Sequence, residues 1–230
     1  MSSILNRVAH YQHGLKLKST NVKSIVGLVQ FSATEDVNEN FEKCAKHIKE
    51  CAGKGARMVC LPEHFAYMNQ DKQHFQKIYL TENYNMLNQE LFKAYRELAL
   101  ENRVWLSLGC FPEEDSQSGK PFLTHSIIDD EGNVVAKYRK MHMFDIDLKG
   151  IGSVNQRESK IFKKGNKISE PCFSPLGYLG LSISYDIRFP ELYRHMTLRG
   201  AQVLLIPSAF LAKTGASHWE TLIRTRAIEN

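Results

Sequence analysis

The sequence predicts an α/β protein built on layered sheets of mixed strand direction. Two observations predict it. Apolar runs of strand length alternate with longer runs of helical period, from "SIVGLVQFS" at 24–32 to "SHWETLIRTRAIEN" at 217–230. Two further stretches read as hairpins, and a hairpin joins antiparallel neighbours. At 230 residues, 43% hydrophobic and 24% charged, the chain has the size and composition of one substantial folded unit.

The elements follow in order. "SIVGLVQFS" is a buried strand. In "DVNENFEKCAKHIKECAGKG", Val37, Phe41, Cys44, Ala45, Ile48 and Cys51 share one helical stripe, and glycine marks the stop. "ARMVCLPEHF" (56–65) is a short strand that ends at Pro62–Glu63. "NMLNQELFKAYRELALENR" (85–103) is a helix on Leu87, Leu91, Tyr95 and Leu98, and "VWLSLGCF" (104–111) is a strand. "HSIIDDEGNVVAKYRK" (125–140) folds back at its D-E-G-N turn, and "FSPLGYLGLSISY" (173–185) at Pro175–Gly177. Pro190–Arg199 suits a helix with proline in its first turn. "AQVLLIPSAF" (201–210) is a further strand. The last helix is expected to open at Ser217, an N-cap with Glu220 three residues on. Residues 141–172 show no clear period, and a loop of that length inside a domain is usually functional.

Charge excludes one class of partner. Arg7, Lys16, Lys18 and Lys23 precede the first acid, Glu35, and the 30 basic residues less these four leave 26 against 25 acidic. The body is nearly neutral, without the basic footprint of a nucleic-acid binder. No apolar run approaches the ~18 residues of a membrane span. The cysteines are Cys44, Cys51, Cys60, Cys110 and Cys172. Their odd number suits reduced thiols and a cytoplasmic protein, and no C-x-x-C pair suggests a metal. The acid-free start, residues 1–23, reads as a disordered extension or a mitochondrial-type targeting segment.

Chemistry collects where strands end, as ligand sites do in α/β sheets. Glu63 follows "MVCL", Lys140 ends "VVAKYRK", and Ser184 ends "LGLSIS". A carboxylate, an ammonium and a small Oγ-bearing residue suit nucleophilic acyl transfer. Each also has a structural reading: Glu63 as a loop cap, Lys140 as one of a basic cluster on a solvated strand end, Ser184 as a turn residue. Two reactive-serine signatures are absent. Ser182 and Asp186 stand where G-x-S-x-G needs glycines, and Ile187 stands where S-x-x-K needs lysine. A serine–histidine site would need His142 or His218 within reach of Ser184.

The strings "LPEHF", "YRKMHMFDID", "NQRES", "YDIRFPELYRHMTLRGAQVLLIPSAF" and "SHWETLIRTRAIEN" together resemble the nitrilase, or carbon–nitrogen hydrolase, superfamily, and within it the branch of deaminated glutathione amidases. The resemblance runs in order over residues 24–230. It implies a four-layer αββα sandwich and a Glu-Lys-Cys triad. Glu63 matches the general base, and Lys140 the residue that holds the tetrahedral intermediate. Glu158 matches a second glutamate that orients the lysine, and the Tyr185 N–H a backbone oxyanion donor. Ser184 stands at the position of the nucleophilic cysteine. Arg188 and Thr214 match positions that contact an anionic amide. A pairing of Arg188 with Glu191 or another carboxylate is the structural alternative. The resemblance implies a small-molecule amide substrate, a homodimer, and neither metal nor organic cofactor.

Three departures bear on function. A thiol, of reference pKa about 8.5, readily forms a thiolate. A serine hydroxyl does not, and a carboxylate of reference pKa about 4.3 is a poor base for it. Little turnover is therefore expected. In the family the chain continues beyond "RAIEN" into another strand, a hairpin and a closing segment, so residues 24–230 are expected to form a C-terminally incomplete domain. Leu211 stands where this branch carries a hydroxyl residue.

Overall fold

A computed structural model of the chain describes residues 24–68, 82–115, 119–148 and 154–230. The expected extension, 1–23, lies outside the described residues, as does the side chain of Leu87. Five strands form the first sheet: β1 (Ile25–Leu28), β2 (Ala56–Cys60), β3 (Trp105–Glu113), β4 (Phe122–Ile128) and β5 (Val134–Arg139), side by side in that order. The first three are parallel, and β4 and β5 return antiparallel as hairpins. Helices α1 (Val37–Gly53) and α2 (Glu82–Asn102) supply the crossovers. Asp36 caps α1 by accepting the N–H groups of Asn38 and Glu39 at 2.9 and 3.0 Å.

A second sheet has the order β10 (Val203–Leu205), β9 (Gly177–Leu181), β8 (Cys172–Ser174). It pairs β10 with β9 in parallel and β8 with β9 antiparallel. Helix α3 (Pro190–Leu198) and helix α4 (Ala212–Glu229) follow its strands.

Strand alternation sorts the apolar residues into two cores. Val59, Leu61, Leu106 and Leu108 face α1 and α2, where Cys44, Ile48, Tyr95 and Leu98 meet them. Met58, Leu123, Ile127 and Tyr138 face the other way, onto Leu179, Leu181 and Ile183 of the second sheet and Leu192, Tyr193 and Met196 of α3. Helices, sheet, sheet and helices thus stack as the expected αββα sandwich. At β3 the alternation slips. Leu108 pairs with Ser126 and Phe111 with Thr124, so one extra residue stands on β3 between them. This bulge turns Cys110 from the helix side to the inter-sheet side, and Phe111 from the inter-sheet side to the helix side with α2.

Two expectations change. The aperiodic stretch 141–172 contains a short hairpin, β6 (Asp145–Leu148) with β7 (Val154–Arg157), and a 3-10 turn at Glu158–Lys160. The last helix begins at Ala212, not Ser217. Phe210 packs against Trp219, ring centroids 5.0 Å apart, and anchors the earlier start, and the Ser217 hydroxyl donates back to the Lys213 carbonyl at 3.1 Å. Burial of an aromatic pair outweighs the local capping signal.

Candidate active site

Four elements deliver the polar groups to one place between the sheets. The chain leaves β2 through Leu61 and Pro62 and turns at Glu63, which is 5% exposed. Lys140 follows β5 directly and is 1% exposed. Ser184, 8% exposed, opens a 3-10 turn over Ser184–Arg188 just beyond β9. Glu158 opens the turn after β7. The Lys140 Nζ donates to Glu158 Oε1 at 2.7 Å and to Glu63 Oε1 at 3.3 Å. Glu63 Oε2 accepts the Ala209 N–H at 2.8 Å, just past β10, and the Ser184 side chain lies close enough to favour the Glu63 carboxylate. Glu158 Oε2 accepts the Phe144 N–H at 2.7 Å, which fixes the carboxylate toward the lysine. The structure therefore gathers Glu63, Lys140, Glu158 and Ser184, although 121 positions separate the first from the last in the chain.

Charge follows from that packing. Burial disfavours the ionised form of Glu63, but Lys140, with help from His64, Ser184 and the Ala209 N–H, outweighs it and holds the carboxyl below its ordinary range. Burial likewise disfavours the charged Lys140, and the two glutamates outweigh it and push the ammonium above its usual value. Both are ionised at neutral pH.

The Ser184 backbone has φ 47°, left-handed and uncommon outside glycine, a conformation that costs roughly 1–2 kcal/mol. It is held by its neighbours. Ser184 N–H donates to the Pro207 carbonyl at 2.9 Å. Asp186, wholly buried, accepts at Oδ2 from Tyr138 Oη at 2.8 Å and the Ile183 N–H at 2.9 Å, and at Oδ1 from the His142 N–H at 3.1 Å, with His142 Nδ1 2.7 Å from that same Oδ1. That one carboxylate ties the turn of Ser184 to the segment that carries Lys140. The first hydrogen bond of this turn runs from Asp186 N–H to the Ile183 carbonyl, so the Tyr185 N–H has no acceptor within the turn.

The two residues expected to touch substrate lie to one side. Arg188 is half-buried, and its Nη2 is 3.1 Å from His218 Nδ1 on α4, one helical turn after Thr214. Among the described residues no carboxylate pairs with Arg188, so the alternative pairing with Glu191 is absent there. Thr214 is half-buried near the start of α4, and Leu211 just before it is exposed. Neither candidate histidine bonds Ser184: His142 faces Asp186, and His218 faces Arg188.

Sequence reasoning passed over the role of Asp186, although it is adjacent to Tyr185, and considered His142 only as a partner of Ser184, not of Asp186. It also passed over His64 and Cys110. The His64 N–H donates to Cys110 Sγ at 3.3 Å, and His64 Nε2 lies 3.8 Å from Glu63 Oε1.

Two packed sheets with helices outside form an αββα sandwich that holds a carboxylate–ammonium–carboxylate cluster at the strand ends between them. The chain belongs to the carbon–nitrogen hydrolase family, whose model matches residues 25–230. It is 43% identical over 209 residues to the deaminated glutathione amidase of Dictyostelium discoideum, across 89% of this chain and 70% of that one. It is 38% identical over 208 residues to the deaminated glutathione amidase of Homo sapiens, across 89% and 62%. The solved structure of the NitFhit protein of C. elegans superposes with a TM-score of 0.80 at 39% identity, across 89% of this chain and 48% of that one. The chain thus spans between about half and 70% of the length of these relatives. Among the described residues no helix is long and apolar enough to cross a membrane.

Proposed function

We propose that this chain carries the site of an amidase for a small carboxylate-bearing amide of the deaminated glutathione kind, with turnover impaired by serine at position 184. The observation that carries the reading is the convergence of Glu63, Lys140 and Glu158 on the turn of Ser184. With a thiol at 184 the steps are direct. Its sulfur attacks the amide carbon, and Glu63 takes the proton. Lys140 and the Tyr185 N–H hold the oxyanion. Glu63 returns the proton to the leaving ammonia, and water then splits the acyl–sulfur bond with Glu63 as base. Amide and water become carboxylic acid and ammonia, and no cofactor enters. Arg188 suits the substrate's carboxylate, and Thr214 offers it a hydroxyl. The curated relatives named for deaminated glutathione support that substrate class.

With serine at 184 the first step stalls. A carboxylate held below its ordinary pKa is a poor acceptor for a hydroxyl proton. A binding or regulatory protein that retains the pocket is the second reading, favoured by that same observation. A homodimer joined through the sandwich, in the cytoplasm or a mitochondrion, belongs to either.

Ammonia release from a deaminated-glutathione-type amide tests the first reading in this chain and in Ser184→Cys. The variant is expected to exceed the unmodified chain by about 100-fold or more. Silence in both folded proteins, with the amide still bound, would overturn the amidase and establish the binding protein.

A further inference from the structure

The β3 bulge, the His64 turn and Glu63 bring three metal-binding side chains to one point. Glu63, His64 and Cys110 each offer one ligand atom, and these atoms lie within 4.8 Å of one another. Tetrahedral zinc spaces mixed sulfur, nitrogen and oxygen donors by roughly 3.3–3.6 Å, so closure requires movements of about 1 Å. We propose that Glu63, His64 and Cys110 form a zinc site that locks the candidate active site.

Three features argue for a built arrangement. First, regular alternation along β3 would leave Cys110 facing α2 beside Leu106 and Leu108. The extra residue sends its sulfur to the inter-sheet side, next to Glu63. The bulge needs Gly109, because a Cβ there would lie 2.1 Å from the Pro62 carbonyl oxygen. Second, His64 has φ 57°, and this strained turn brings its ring nitrogen Nδ1 to 4.0 Å from Cys110 Sγ, while its N–H donates to the same sulfur. A backbone N–H on a cysteine sulfur is the kind of outer partner that favours a metal-bound thiolate. Third, the charges balance. Glu63, Glu158 and Lys140 leave the cluster with one net negative charge, and a zinc ion with a Cys110 thiolate adds one positive charge.

The thiol's proton leaves for solvent on binding. Burial opposes the Cys110 thiolate in the metal-free protein and pushes the thiol far above its ordinary pKa, so the bare sulfur is an inert thiol. A metal-bound imidazole coordinates through its unprotonated nitrogen, and either ring nitrogen can serve. A thiolate with an imidazole and a carboxylate selects zinc over magnesium or calcium. Bound zinc would take the Glu63 oxygen that faces Lys140. That inhibitory consequence rests on the amidase reading, whereas the binding site does not.

The test reads binding without substrate. Zinc is titrated against a chromophoric chelator with the 230-residue chain, with Cys110→Ser and with His64→Asn. Asparagine tolerates the left-handed turn and lacks the ring. Cys172→Ser controls for thiol binding elsewhere. One zinc per chain is expected, weakened about 100-fold or more in the two ligand variants and unchanged in the control; loss of an outer partner alone already costs 10–100-fold. No zinc bound, or equal binding in all four proteins, overturns the proposal. Cobalt(II) added to the unmodified chain keeps the test independent of variant folding. A thiolate-to-cobalt charge-transfer band is expected, and bound cobalt without that band also overturns the site. A Ser184→Cys chain that binds zinc yet releases no ammonia even in chelator would sink the amidase and leave the metal site standing.

Discussion

The two sheets hold their parts of the site by different means. In the first sheet every residue of β4 is buried, and its neighbours pack against two apolar cores. In the second, all three residues of β10 are only half-buried. Lys140 follows β5 of the first sheet, which pairs along its length with the buried β4 and anchors Tyr138 in the inter-sheet core. Ser184 leaves the smaller sheet and is positioned by polar links across to the first: Asp186 to Tyr138 and His142, and the Ser182 carbonyl to His125 at 3.0 Å. Apolar burial is forgiving of small shifts, whereas a buried carboxylate with four fixed partners is not. The turn that must place one atom accurately is held by the less forgiving device.

Asp186→Ala should break this comparison most severely. It leaves the Tyr138 hydroxyl and the Ile183 N–H buried without their acceptor and should cost about 3–5 kcal/mol by denaturant unfolding. A loss below about 1 kcal/mol would mean that the clasp is dispensable. Leu106→Ala, in the core between β3 and the helices, should cost about 2–5 kcal/mol, and amide binding by the folded protein should be unchanged. A change in binding would mean that the two regions are coupled.

His125 sharpens the contrast through pH. Burial holds it down to about 4, although the Ser182 carbonyl pulls the other way, and Ser107 Oγ lies 2.7 Å from its Nε2. It is neutral when folded, and the unfolded chain takes up the proton first as pH falls. Its stabilisation is complete above about 6.5 and shrinks by about 1.4 kcal/mol per unit as pH falls toward 4. His125→Gln should flatten the unfolding free energy across that window by this slope. An unchanged slope would place the acid sensitivity elsewhere. The smallest effect belongs to the surface. Glu220→Ala removes a bond to Arg224 between side chains 75% and 70% exposed and should shift stability by less than about 0.5 kcal/mol. A larger loss, measured by thermal unfolding, would show that α4 depends on that pair.

The layered fold was readable because alternation and helical period survive folding wherever strands are regular. Glu63, Lys140 and Ser184 were readable for a related reason: each follows an apolar strand, and strand ends converge. Glu158 was legible only through family resemblance, since nothing in "NQRES" marks a strand end. Asp186 was illegible because its partners lie 44 and 48 positions away. Cys110 was hidden more thoroughly. Cysteine spacing compares sequence neighbours, and a bulge reverses the side to which a strand residue points. The start of α4 was misread because Ser217 and Glu220 are a genuine capping pattern, while Phe210 and Trp219 meet only in three dimensions.

Gly109 has a further consequence. With hydrogen as its only side chain, it lets the main chain of β3 touch the carbonyls of Leu61 and Pro62. The offset between the two strands at the mouth of the site is therefore gauged by backbone against backbone, a dimension that no rotamer can adjust. Side chains around the pocket can be exchanged to recast what it accepts while this spacing stays fixed. A single methyl at 109 would move the datum from which the reach of Glu63 to Lys140 is measured.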